Sequence, residues 1–186
     1  MRGFDYSQSG LYFVTFCVQD RLCLFTRIRR NKLELNEAGR MVQAEWEKLP
    51  MRFLDIRLHE FVVMPNHFHA IIEIEKGDEN GDWSLPGGAD LQECQVPKPY
   101  QENGFQKEKS PGTKKLGQIV GAFKSITTVK YIEGVKTRNW PQFDGRLWQR
   151  SYWEHVIRNE TAYRHISGYI ITNPEKWAQD RLNMPE

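Results

Sequence analysis

Cysteine is scarce in this 186-residue chain: Cys17, Cys23 and Cys94 are an odd number without Cys-x-x-Cys spacing. That argues against a disulfide framework and a zinc ribbon, and leaves plain thiols. No run approaches the roughly 20 apolar residues of a membrane span. The opening Met1-Arg2-Gly3-Phe4-Asp5-Tyr6-Ser7 also lacks the apolar core of a signal peptide. A cytoplasmic protein without membrane contact is the expectation. Missing as well are Gly-x-x-x-x-Gly-Lys-Ser/Thr, which would cradle a nucleotide, and His-Glu-x-x-His, which would mark a zinc protease. Neither sign of charge dominates, the net being +2. Between Lys114 and Arg158, however, nine basic residues stand against three acidic ones, a surplus that would attract a phosphate backbone.

What is present, with 39% hydrophobic and 12% aromatic residues, suffices for one sizeable core. The expectation is one domain over 1–186, interrupted at 77–113 by a Gly-, Pro-, Gln-, Glu- and Lys-rich insertion without apolar period. Leu11 to Val18 reads as a strand, and Ile56 to Met64 as another. Pro65-Asn66 breaks the chain before a third, so the last two should form a hairpin. Helices are expected from Glu37 to Leu49 behind an Asn36 cap, from Leu116 through Tyr131, and from Thr161 to Asn173 behind an Asn159 cap. Residues 146–157 read as an extended segment. The order gives an α+β fold, with helices covering an antiparallel sheet.

The third strand carries His67 and His69. In an extended chain residues i and i+2 share a face, so both imidazoles point one way, opposite Phe68, Ala70, Ile72 and Ile74. Two parallel imidazoles are half a metal site. The bland alternative is a pair of polar residues on the wet face of an edge strand. Tyr169 and Asn173 lie four apart on the last helix and share a face too. Packed beside the histidine strand, Asn173 could complete a His67/His69/Asn173 site with the Tyr169 hydroxyl alongside. From spacing alone they equally fit a core tyrosine and a helix-terminal asparagine.

Met64-Pro65-Asn66-His67-Phe68-His69, the segment Leu147 to Asn159, and Tyr169-Ile170-Ile171-Thr172-Asn173-Pro174 together resemble the single-tyrosine HUH transposases, most of all the REP-associated tyrosine transposases of bacteria. The resemblance runs from about Tyr12 through Trp177, apart from the insertion. It implies a ferredoxin-like antiparallel sheet with helices packed on it, and a divalent metal ion, Mg²⁺ or Mn²⁺, held by His67, His69 and Asn173. It also implies Tyr169 as the nucleophile on single-stranded or hairpin DNA, leaving a 5′-phosphotyrosine. A phenol, with an ordinary pKa of about 10, needs such charge relief to attack a phosphodiester. Relatives include monomers and homodimers, and the sequence leaves that choice open.

A DNA groove is expected from basic residues interleaved with aromatics. Lys124, Lys130, Arg146, Trp148, Arg150 and Arg158 are the candidates, although half of the aromatics in this region could as well be core. Two rival readings are a domesticated DNA-hairpin-binding protein without turnover, and a small metal-dependent hydrolase using His67 and His69. Tyr169 is dispensable in both.

Overall fold

The computed structural model describes residues 9–29, 32–75, 114–180, 182 and 183. The insertion expected at 77–113 lies outside the described residues. Strand β1 spans Gly10–Cys17, and a short hairpin follows, β2 Thr26–Arg29 and β3 Lys32–Leu35. Helix α1 is Glu37–Glu47, β4 Ile56–Val63, β5 His67–Ile74, α2 Lys114–Arg138, β6 Trp153–Ile157 and α3 Glu160–Thr172. The main sheet has the order β4-β5-β1-β6, and every neighbouring pair is antiparallel. Without the β2–β3 hairpin and α3 this is a βαββαβ unit with its first and third strands central, the ferredoxin-like arrangement.

Local signals account for most of these boundaries. The Asn36 side chain accepts from Gly39 N–H at 2.8 Å and starts α1, and the Asn159 side chain accepts from Ala162 N–H at 2.8 Å and starts α3. Alternation along β1 sends Tyr12, Val14 and Phe16 to one face and Phe13, Thr15 and Cys17 to the other. Helices α1 and α2 close the first face over an aromatic cluster in which Phe68 meets Phe16, Trp46 and Phe123. Helix α3 covers part of the second through Phe13, Ile71, Ile157 and Ile170. Gly39 is needed for packing, since a Cβ there would overlap the Phe25 carbonyl oxygen.

Two sequence expectations change. The β2–β3 hairpin is additional; its strands are four residues each and rich in charge, too short for a two-residue period to show. The extended segment expected over 146–157 is a strand only from Trp153, because residues 149–151 hang their carbonyls on the half-buried Lys124 instead of a neighbouring strand.

Candidate active site

His67 and His69 share the second face of the sheet, but not on an edge strand: β5 is central, paired with β4 and β1. Helix α3 and the chain after it cover them, so His67 is 0% and His69 3% exposed. Their ring centroids are 4.5 Å apart. The wet-face reading therefore does not apply, and two buried imidazoles need an explanation.

Each histidine is oriented by one partner. The Asn66 amide nitrogen donates to the carbonyls of Arg21 (3.2 Å) and Leu182 (2.8 Å), which turns its oxygen toward His67. That oxygen lies 2.8 Å from His67 Nδ1, so Nδ1 carries the hydrogen and Nε2 keeps its lone pair. The Arg21 carbonyl is presented by a turn in which Asp20 and Arg21 both take φ of 55°, a left-handed conformation unusual outside glycine. His69 Nδ1 lies 2.7 Å from Thr15 Oγ1 across the β1–β5 ladder. In the tautomer that donates to Thr15, Nε2 again carries the lone pair.

The Tyr169 hydroxyl is 3.3 Å from His69 Nε2, with ring centroids 5.3 Å apart. Phe13 packs edge-on against the Tyr169 ring and also lies against His69. Tyr169 is 43% exposed and lines an open cavity with His69. A β-bulge holds the helix that carries it. The β4 register shifts between Leu58 and Phe61, and the consecutive residues His59 and Glu60 both reach α3. Tyr163 Oη and Ser167 Oγ each donate to Glu60 at 3.0 Å, and His59 bonds Glu73 at 3.0 Å. Burial and the Glu60 carboxylate push the Tyr163 phenol upward, which keeps it a neutral donor.

Pro174 cannot continue an α-helix, and the chain tightens into a 3-10 helix, Asn173–Gln179, that delivers Asp180 to the histidines. Ligand atoms of His67, His69 and Asp180 all lie within 4.8 Å of one another. His67 Nε2, Asn173 Oδ1 and Asp180 Oδ2 are buried without a hydrogen-bond partner among the described residues. Leaving such atoms unsatisfied is costly, and a divalent cation between His67 Nε2 and Asp180 Oδ2, which lie 3.8 Å apart, would satisfy both. The donor set, two imidazole nitrogens, a carboxylate and an amide oxygen, fits such an ion. Asn173 lines the same cavity of about 770 Å³ as His69, Tyr169, Asp180 and Lys176.

Burial pushes His67 down to about 3, and the nearby Arg21 charge adds to the shift. Asp180 Oδ2, 3.8 Å away, would favour a charged ring, but desolvation outweighs it. A ring that stays neutral is ready to bind a metal. Its depressed pKa also makes folding pH-dependent, because below the ordinary value of 6.5 the unfolded chain binds a proton that the folded one refuses. In metal-free protein this contribution is complete above about pH 6.5 and is lost as pH falls toward 3. Thermal melts across that window should fall more steeply for the wild type than for His67→Gln.

The expected DNA-binding residues do not form one surface. Arg146 and Arg150 line a shallow cavity with Asp20 and Asp144, while Arg158, at the far end of β6, lines neither cavity. Trp148 belongs to the core: it is 4% exposed, and its indole N–H donates to Thr127 Oγ1 at 2.9 Å. Lys130 pairs with the buried Glu45 carboxylate at 2.7 Å. Lys124 turns inward and donates to the carbonyls of Gln149 (2.8 Å), Arg150 (3.4 Å) and Ser151 (3.2 Å), with burial lowering it to about 8. Lys124→Met is therefore expected to cost about 2 kcal/mol in denaturant unfolding. The salt dependence of DNA binding should stay unchanged, whereas a lysine on a phosphate would lower that slope by about 1.

Sequence reasoning missed Asp180, Asn66, Thr15 and Lys176. Asn66 and Thr15 had signals, one beside the first histidine and the other on the matching face of an alternating strand. Asp180 had none, because a 3-10 helix after a proline carries no apolar period.

No family model matches the chain. An uncharacterised protein of Haemophilus influenzae is 38% identical over 98% of the chain and 89% of its own length. Another from the same organism, whose description reads "Putative REP-associated tyrosine transposase", is 23% identical over 92% of the chain and 74% of its own length. The REP-associated tyrosine transposase of Escherichia coli K12 is 44% identical over 41 residues, covering 21% of the chain and 25% of that protein. Among solved structures, a REP-associated tyrosine transposase bound to a REP hairpin aligns at TM-score 0.47 and 24% identity over 95% of this chain and 72% of that one. With its three motifs in order and relatives of that name, the chain is similar to the REP-associated tyrosine transposases.

Proposed function

We propose that this protein is a metal-dependent transposase that cleaves and rejoins single-stranded DNA through Tyr169, acting on strands that carry hairpins. The observation that carries this reading is the Tyr169 hydroxyl 3.3 Å from His69 Nε2, beside a buried group of unsatisfied ligand atoms. His67, His69 and Asp180, with Asn173 beside them, would hold the ion, Mg²⁺ or Mn²⁺. When bound, it supplies charge relief at a non-bridging phosphate oxygen.

The chain's own residues do the rest. Phe13 and the Glu60-anchored helix hold the Tyr169 ring at the cavity mouth, and Lys176 adds a positive charge to the wall on which a phosphate would lie. Attack of the Tyr169 oxygen on phosphorus expels a 3′-hydroxyl and leaves a 5′-phosphotyrosine. That link conserves the phosphodiester, so another 3′-hydroxyl can reverse the step and join a new strand without a nucleotide cofactor. Tyr163, bound to Glu60, and Tyr131, whose hydroxyl donates to the Pro141 carbonyl and which burial raises to about 12, are poorer nucleophiles.

Incubating a 5′- or 3′-labelled single strand with protein and Mn²⁺ tests the reading. A denaturation-resistant protein–DNA adduct carrying only the 3′-side label is expected. Strand binding without any adduct would favour the domesticated binding protein, and metal-dependent hydrolysis indifferent to DNA would favour the hydrolase.

A further inference from the structure

Among the described residues, Trp153 is the one exposed tryptophan, at 53%, although it starts a sheet strand. Trp46 and Trp148 are buried, and Trp140 and Trp177 partly so. The reason is where α3 stops covering the sheet. Trp153, His155 and Ile157 share the active-site face of β6 with their register partners Thr15, Phe13 and Leu11. Ile157 lies under α3, while His155 and Trp153 lie beyond it. The two bare rings stack, with planes 7° apart and centroids at 5.9 Å.

This aromatic floor is continuous with the active site. Phe13 meets Trp153 edge-on at 5.5 Å on one side and Tyr169 at 6.2 Å on the other. Trp153, Tyr169 and His69 line one cavity, and Gln149 and Ser151 beside Trp153 offer amide and hydroxyl groups suited to a base edge. A large flat apolar surface left open in a polar-rimmed cavity calls for a flat occupant. A phosphodiester held at Tyr169 brings its own flat groups, the bases on either side of it.

We propose that Trp153, with His155 stacked beside it, is the platform for one unpaired nucleobase next to the phosphodiester that Tyr169 attacks. The proposal rests on the single-strand cleavage reading and adds to it the element that selects which linkage reaches the tyrosine. An unpaired base stacks there regardless of its identity, since every base has a π face, while duplex DNA keeps its bases stacked on each other. Trp153 is thus a positioning residue that favours unpaired substrate.

The test uses the full chain without metal and single strands carrying 2-aminopurine at successive positions. Wild-type protein should quench the fluorescence at one position severalfold. Trp153→Ala should lose that quenching and bind the strand about tenfold more weakly, and Trp153→Phe should keep most of both. Removing the base at that position should weaken wild-type binding by a similar factor and add nothing in Trp153→Ala, which marks a direct contact. Trp153→Leu, which keeps apolar volume under Phe13, should behave like Trp153→Ala, separating stacking from fold support. Quenching that survives in Trp153→Ala and Trp153→Leu would overturn the platform, as would equal losses on intact and abasic strands or an effect on self-association alone. A wild-type protein that binds no single strand would instead overturn the function on which the platform depends.

Discussion

Replacing Tyr169 by phenylalanine is expected to lower strand cleavage by about 10⁴-fold or more and to abolish the covalent adduct, while the melting temperature and strand affinity change little. The ring would remain edge-on to Phe13 and lose only the hydroxyl, which faces His69 from an exposed position. Conserved affinity matters here, because it separates loss of a nucleophile from loss of a binding surface. Tyr163→Phe makes the opposite prediction. It removes a donor to Glu60 and should loosen α3, lowering stability with a far smaller loss of cleavage per folded molecule.

The second large effect concerns the ion. His67→Ala should weaken Mn²⁺ binding by on the order of 10²–10³-fold, read directly from the free Mn²⁺ resonance signal without any DNA, and lower cleavage at limiting metal to match. Asp180→Asn tests the ligand that sequence did not suggest and should weaken binding in the same assay. Asn66→Ala should cost less, about 10–100-fold, because Asn66 fixes which His67 nitrogen holds the proton without touching the ion. If Asn66 served only the fold, stability would fall and metal affinity per folded molecule would not.

These effects trace to residues of very different legibility. The two-residue period made the facing of His67 and His69 readable, and side-chain chemistry made Asn36 and Asn159 readable as caps. The same period could not reveal that α3 would bury both histidines, since that depends on where a distant helix docks. Lys124 and Trp148 show the limit most clearly. Their composition suits a nucleic-acid groove, yet the chain places one on three backbone carbonyls and the other against Thr127 in the core. A basic or aromatic residue can serve either solvent or core, and only the path of residues 146–152 decides which. Asp180 was invisible for another reason: it arrives by a single 3-10 helix whose sequence has no repeating face.

Protease digestion and mass spectrometry of the protein–DNA adduct, formed with a single strand and Mn²⁺, test the central claim most directly. The peptide containing Tyr169 should carry a nucleotide joined through its 5′-phosphate to the phenol oxygen. A nucleotide on Tyr152, Tyr163 or any other side chain, or an adduct formed equally by Tyr169→Phe, would contradict the account.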